Sequence, residues 1–286
     1  MIHADEQKEI QKIITETLKE DLGEAGDVTS RAIFSADDTA DACIRSKSKG
    51  IVAGTYLLRP LFSSLDRSLR VDCLIEDGMW VDKGTEICRL SGSIQSILAG
   101  ERSALNLLQR LSGIATQTAH LVSCISHTHV RLLDTRKTTP RLRVLEKKAV
   151  LSGGGVNHRF GLFDMMLIKD THIRAAGGVG EAIRKAKDFR ETQPDLRIEA
   201  EVQTKKEFRQ AAEARPDRIM LDNMSCETMS ECVLIRNQGY PEIELEASGN
   251  VTSETIAAIA ETGVDFISVG SLTHSVTALD IHLVII

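Results

Sequence analysis

The stretch IEAEVQTKKEFRQAAEARPDRIMLD (198–222) decides the architecture. Two short apolar runs, IEAEV and RIMLD, flank KKEFRQAAEA, which reads as a helix. The pattern repeats downstream: runs beginning at residues 198, 218, 243 and 266 are spaced 20–25 residues apart, the length of one βα unit. Working backwards, VRLLD (130–134) and MMLIK (165–169) belong to the same series, so six apolar runs alternate with helical stretches. Such alternation implies a parallel sheet with helices on its face. The preferred form is α/β, a closed or nearly closed barrel of about six strands, fewer than the eight of the standard barrel. An open doubly wound sheet is the alternative.

Upstream, the texture differs. Ile10, Ile13, Ile14, Thr17 and Leu18 recur at helical spacing, predicting an amphipathic helix over 5–21. ACIRSKSKGIVAG, LRVDCLIEDG and EICRLSGS read as strands, with Gly78 and Gly84 where the chain must turn. Residues 99–126 form a long helix, expected to break near Gly113, with Leu105, Leu108, Leu111 and Ile114 along one stripe. SVTALDIHLVII at the end reads as one more strand. The expected division is an N-terminal α+β domain over 1–110, with 275–286 returning to it, and a barrel over 111–274.

Composition narrows the function classes. Hydrophobic content of 42% and charged content of 27% suit a globular enzyme, and only 3% aromatics leaves the core to Leu, Ile, Val and Ala. A net charge of −6 argues against a general nucleic-acid binder, so any anion site must be a local concentration of positive charge. The six cysteines form no CxxC pair and have no histidine partner at zinc spacing, as expected for free thiols in a reducing compartment. The N-terminal MIHADEQKEIQKII lacks an apolar signal segment, and no run approaches the ~20 residues needed to cross a bilayer. The expectation is a cytoplasmic protein without membrane or nucleic-acid partners.

In parallel β/α folds ligands gather at the carboxyl ends of the strands. Those ends here supply Asp134, Arg136, Lys137, Lys169, Glu201, Asp222, Ser248 and Gly270. Residues 131–148 hold seven Lys or Arg against two acids. For Arg141, Arg143, Lys147 and Lys148 a solvated helix face is an equal explanation. Arg136 and Lys137 differ, since they directly follow an apolar strand. An arginine fork suits a carboxylate, and a lysine suits a phosphate oxygen. LSGGGVNHRFG follows, where successive glycines let backbone approach a ligand and His158 and Arg159 come next. Glu199 and Glu201 alternate along IEAEV and so share a face, where burial would demand cationic or hydroxyl partners. Asp222, followed by Asn223, suits a metal ion or a ribose hydroxyl, because phosphate-bound Mg²⁺ takes one or two protein carboxylates. ASGNVTSET (247–255), with Thr252 or Ser253 able to cap the next helix, and VGSLTHS (269–275) read as phosphate loops.

Taken together, DTRKTTPRLRVLEKKAV, GGGVNHRFGLFDMMLIKDTHI, IEAEV, MLDNMS, LEASGNV and DFISVGSLTHS resemble the quinolinate phosphoribosyltransferases, of the type II phosphoribosyltransferases. EDLGEAGDVTS and GERSALNLLQRLSGIAT extend the resemblance across essentially the whole chain. It implies an open-faced α+β sandwich followed by an incomplete α/β barrel. It also implies a homodimer with shared active sites, which can assemble further, and Mg²⁺ as cofactor. The implied reaction converts quinolinate and phosphoribosyl pyrophosphate to nicotinate mononucleotide, pyrophosphate and CO₂.

By motif, Arg136, His158, Arg159 and Lys169 match the family's quinolinate-binding group, and Lys137 matches a lysine shared by substrate and pyrophosphate. Glu201 and Asp222 match the acids near ribose and Mg²⁺, so Lys137, Glu201 and Asp222 are the implied catalytic residues. Ser248, Gly249, Asn250, Gly270 and Ser271 fall in the sugar-phosphate loops, and Arg102 matches an arginine that reaches the neighbouring subunit's site. Three positions depart from the pattern: Arg141 and Asn250 stand where glycine is usual, and Thr171 where asparagine is. Two other readings stay open: a class I aldolase using Lys169 as Schiff base, and a diverged relative, such as the molybdate-associated homologues, that binds a different anion.

Overall fold

Alternating apolar residues build the strands, and the spacing of apolar residues between them builds the helices. The computed structural model describes residues 4–286. The chain begins with α1 (Ala4–Leu22) and α2 (Val28–Ile33), then β1 (Thr39–Ser46), β2 (Gly50–Ile51) and α3 (Leu58–Leu65). Next come β3 (Arg70–Cys73), β4 (Trp80–Val81), β5 (Glu86–Ser93) and α4 (Ile94–Cys124). β6 (Arg131–Leu133), α5 (Arg143–Ser152), β7 (Met166–Ile168), α6 (Asp170–Ala176) and α7 (Val179–Arg190) follow. The last third holds β8 (Ile198–Val202), α8 (Lys205–Ala214), β9 (Arg218–Asp222), α9 (Cys226–Gly239) and β10 (Glu244–Ser248). It closes with α10 (Ile256–Ala260), β11 (Phe266–Ser268), α11 (Ser271–His274) and β12 (Ile281–Ile285).

Contacts divide the chain into two units. Among the described residues, the first comprises 4–119, 138–154 and 272–286. Its sheet runs β12-β1-β5-β3, with every neighbour antiparallel. Ile10, Ile13, Ile14 and Leu18 on α1 are buried, as are Leu105, Leu108, Leu111 and Ile114 on α4. Each such side chain contributes roughly 1.5–3 kcal/mol of transfer free energy. The expected break at Gly113 does not occur, and α4 runs unbroken for 31 residues. Gly113 serves close approach instead, because a Cβ there would lie 2.2 Å from the Thr277 carbonyl oxygen. Residues 138–154, which sequence alone assigned to the barrel, cluster with this unit.

The second unit comprises residues 120–137 and 155–271. Its six strands lie in the order β6-β11-β10-β9-β8-β7, all parallel. Strands adjacent in sequence are adjacent in space, except at the seam between β6 and β7, so the sheet forms an incomplete barrel. A single parallel bridge from Leu133 to Val156 lies beside β6. In register, Glu199, Arg218 and Glu244 share one level across β8, β9 and β10, and Asp222 and Ser248 share a higher one. Polar residues at alternate positions of neighbouring strands therefore line one side of the sheet.

Candidate active site

A cavity of about 350 Å³ opens at the carboxyl ends of these strands. It is lined by Thr135, Arg136, Lys137, His158, Arg159, Leu167, Lys169, Glu201, Met220, Asp222, Glu246, Ser248 and Ser268. Arg136, Lys137, His158, Arg159, Lys169, Glu201, Asp222 and Ser248 were all singled out from sequence. Gly249, Asn250, Gly270 and Ser271 are not in the lining, nor is Arg102, which sits exposed on α4 of the first unit.

The positive side is built under strain between like charges. Arg159 is buried, with one guanidinium nitrogen donating to the Met165 carbonyl at 3.0 Å. Burial and the nearby Arg136 guanidinium both lower its pKa. The Nε of Arg136 is itself buried without a hydrogen-bond acceptor. Two adjacent arginines, one with an unused donor, make a site for an anion. The loop behind them is held by Asp134, which is fully buried and accepts the His158 backbone N–H at 2.9 Å. Asp164 accepts the N–H groups of Phe160 and Gly161 at 2.6 and 2.8 Å.

The acidic side is Glu201 with Asp222. Burial and the Asp222 charge raise the pKa of Glu201, while Lys169 and Lys137 oppose the rise. Asp222 accepts from the Gln203 amide at 3.2 Å and the Asn223 amide at 3.0 Å. Leu167 and Met220 give the cavity apolar lining suited to a flat ring.

Deeper lies a second polar cluster. His158 Nε2 is 3.1 Å from Glu199 Oε2 and 3.4 Å from Glu246 Oε2. Arg218 reaches Glu246 at 2.9 Å and Glu244 at 2.9 Å, with its guanidinium carbon 4.0 Å from the centre of the Phe266 ring. Burial pushes the Glu199 carboxyl up to about 7, whereas His158 and Arg218 hold the fully buried Glu246 below its ordinary range. Among the described residues, His158, Glu199 and Glu246 are the set whose ligand atoms, within 4.8 Å of one another, could surround a metal ion. Glu246 escaped the sequence reading, although IELEAS places it on the same face as Ser248.

The phosphate-type loops are shaped by backbone. Gly249 has φ of +100°, and a Cβ there would lie 2.2 Å from Asn223 Oδ1. Asn250 takes a left-handed φ of 50°. Glycine is therefore not needed at 250, because asparagine enters that region more easily than other side chains. Neither Thr252 nor Ser253 is the N-cap of α10; that position is Thr255, without a side-chain cap bond. The glycines at 153–155 also read differently. A Cβ on Gly153 would meet the Ala115 carbonyl oxygen at 2.4 Å, so this glycine seats α5 on α4. Lys147, for which a solvated face and a functional role were equal readings, is buried. Thr171 is exposed, and its N–H donates to Asp170 at 2.7 Å.

A parallel sheet whose strand ends meet in paired arginines, lysines and two carboxylates defines an enzyme of the α/β-barrel class that handles a polyanionic substrate. Comparison with known proteins gives the family. Residues 27–112 match the N-terminal domain of quinolinate phosphoribosyl transferase, and residues 114–284 match its C-terminal domain. A probable nicotinate-nucleotide pyrophosphorylase [carboxylating] of Bacillus subtilis is 42% identical over 96% of this chain and 93% of its own. A mitochondrial quinolinate phosphoribosyltransferase [decarboxylating] of Nicotiana glauca is 42% identical over 96% of this chain and 82% of its own. Among solved structures, the nicotinate-nucleotide pyrophosphorylase of Francisella tularensis is 39% identical with a TM-score of 0.91, covering 98% of this chain and 96% of that one. The chain belongs to the quinolinate phosphoribosyl transferase family.

Proposed function

We propose that this chain transfers a phosphoribosyl group from phosphoribosyl pyrophosphate to quinolinate with loss of CO₂, giving nicotinate mononucleotide and pyrophosphate, a step in de novo NAD biosynthesis. The observation that carries the reading is Arg136 and Arg159 together in the wall of one pocket, where burial and the Arg136 charge both lower the Arg159 pKa. A dicarboxylate offsets that charge and satisfies the unused Arg136 Nε.

The residues divide the work. Arg136, Arg159 and Lys169 neutralise the two carboxylates and aim the ring nitrogen at the sugar C1. The N–C1 bond forms as the bond from C1 to pyrophosphate breaks, and Lys137 offsets charge on the leaving oxygens. Glu201 and Asp222 stabilise oxocarbenium-like charge on the ribose. The ring nitrogen is then cationic, so the bond to the adjacent carboxylate releases CO₂ with its electron pair drawn toward that nitrogen. A proton then replaces the carboxylate on the ring carbon. Gly249, Asn250, Gly270 and Ser271, with Ser248, hold the 5′-phosphate by backbone and hydroxyl donors.

Glu201 and Asp222 fit Mg²⁺, being oxygen donors at one pocket wall where burial and the Asp222 charge raise the pKa of Glu201. When bound, the ion neutralises charge on the pyrophosphate. On this reading the working form is a cytoplasmic homodimer in which Arg102 completes the partner's site. Among the described residues no helix is long and apolar enough to cross a membrane. The Schiff-base alternative fits less well, because Lys169 is exposed, not desolvated as an amine nucleophile requires.

Pyrophosphate release from phosphoribosyl pyrophosphate, measured with quinolinate and separately with nicotinate, tests the proposal. Turnover with quinolinate alone supports it, and turnover with nicotinate alone overturns the substrate while keeping the transferase class.

A further inference from the structure

The cluster beneath the pocket asks whether it is a metal site, a ligand-binding group or a brace. His158 decides this. Its Nδ1 receives the Arg159 backbone N–H at 2.8 Å. Its Nε2 faces Glu199 and Glu246 at 3.1 and 3.4 Å. The two carboxylates outweigh the cost of burial and push the imidazole pKa up to about 9, favouring a second proton. That proton would have to sit on Nδ1, where the Arg159 N–H already points. The ring therefore carries its proton on Nε2, between two oxygens. A nitrogen bearing a proton is not a metal ligand, and metal-bound histidines normally donate, not accept, through the other nitrogen. The Glu246 carboxylate is also already held by Arg218 at 2.9 Å. The cation a metal would supply is present as a guanidinium.

We infer that Glu199 and Glu246 are positioning residues that act through His158, and that His158 braces Arg159 and does not itself donate to the substrate's carboxylate. Nδ1 accepts a backbone N–H, and Nε2 lies at ion-pair distance from two buried carboxylates, so both ring nitrogens face groups of the protein. The ring's Nδ1 fixes the Arg159 backbone, the Met165 carbonyl fixes its guanidinium, and Asp134 fixes the His158 backbone. The dicarboxylate-binding arginine is thus held at its backbone and at its guanidinium, and the histidine that holds it is itself anchored by Asp134. One anchor, Glu246, is tied through Arg218 into Glu244, so the brace is continuous across β8, β9 and β10. Preorganisation of this kind matters because misplacing a binding group by about 1 Å can cost ~10²-fold.

The inference rests on the dicarboxylate reading of the pocket, and the experiment separates the two. Wild-type turnover with quinolinate is measured first; its absence refutes that reading, not the brace. Glu246→Gln and Glu199→Gln then keep side-chain size while weakening the hold on Nε2. Each is expected to raise KM for quinolinate by about tenfold, leaving KM for phosphoribosyl pyrophosphate within about twofold. In a His158→Phe background, Glu246→Gln should add nothing further, because its path runs through the imidazole. Unchanged constants, or equal shifts in kcat and both KM values, would overturn the inference. Should the variants not fold, the wild-type enzyme with ¹⁵N-labelled histidine still decides. Its His158 should remain the Nε2–H tautomer when quinolinate is added, and a proton on Nδ1 in the complex would refute the brace.

Discussion

The Asn250 amide nitrogen lies 3.1 Å from Asn223 Oδ1, tying the loop after β10 to the loop after β9. Both residues have positive φ, 50° and 53°, and the Asn223 N–H donates to the Ser248 carbonyl at 2.9 Å. Gly249 lies between Ser248 and Asn250, with no room for a side chain. Two loops that sequence treats as separate are one structural object.

Gly249→Ala should disrupt this object. Its Cβ would overlap Asn223 Oδ1 on a backbone at φ of +100°. The expected result is a fall in kcat/KM for phosphoribosyl pyrophosphate on the order of 10²-fold. Asn250→Ala, which removes only the amide tie, should cost about 1 kcal/mol of stability in urea titration. Equal, small effects of both would argue against the shared loop.

Lys137→Ala should lower kcat by about 10²–10³-fold while the protein still folds, as expected for removing one preorganised charge from the transition state. Steady-state kinetics beside a circular-dichroism melt would check this. Near-normal kcat/KM would remove Lys137 from the mechanism.

Arg141 lies in the left-handed backbone region, with a φ of 70°. A non-glycine residue in that region costs roughly 1–2 kcal/mol, and glycine returns part of the gain through unfolded-state entropy. Arg141→Gly should therefore stabilise the protein by about 1 kcal/mol or less. Measured destabilisation would show that the arginine makes a compensating contact.

Asp27 caps α2, accepting the N–H groups of Thr29 and Ser30, both at 3.0 Å. The Ser30 hydroxyl and backbone N–H hold its pKa below the ordinary aspartate value. A depressed folded pKa stabilises above the unfolded value and loses that contribution as pH falls through the folded one. Asp27→Ala should thus cost about 1 kcal/mol at neutral pH. The difference from wild type should shrink below about pH 3.8. A difference that persisted under acid would exclude the carboxylate as its source.

Periodicity alone determined the six parallel strands, their order in the chain and the polar residues at their carboxyl ends, because side-chain direction in a strand depends only on local alternation. It also put Glu199 and Glu201 on one face. Which of these face a ligand and which face one another was beyond it. Glu201 meets Asp222 at the pocket wall, while Glu199 meets His158 and Glu246 below it, and that distinction follows from the register between β8, β9 and β10. Likewise, glycines 113 and 153 looked like a helix break and a ligand loop until the backbones packed against them were placed. Local pattern settles what a residue can offer. Partners distant in sequence settle what it does, because burial and charge pairing belong to the assembled sheet.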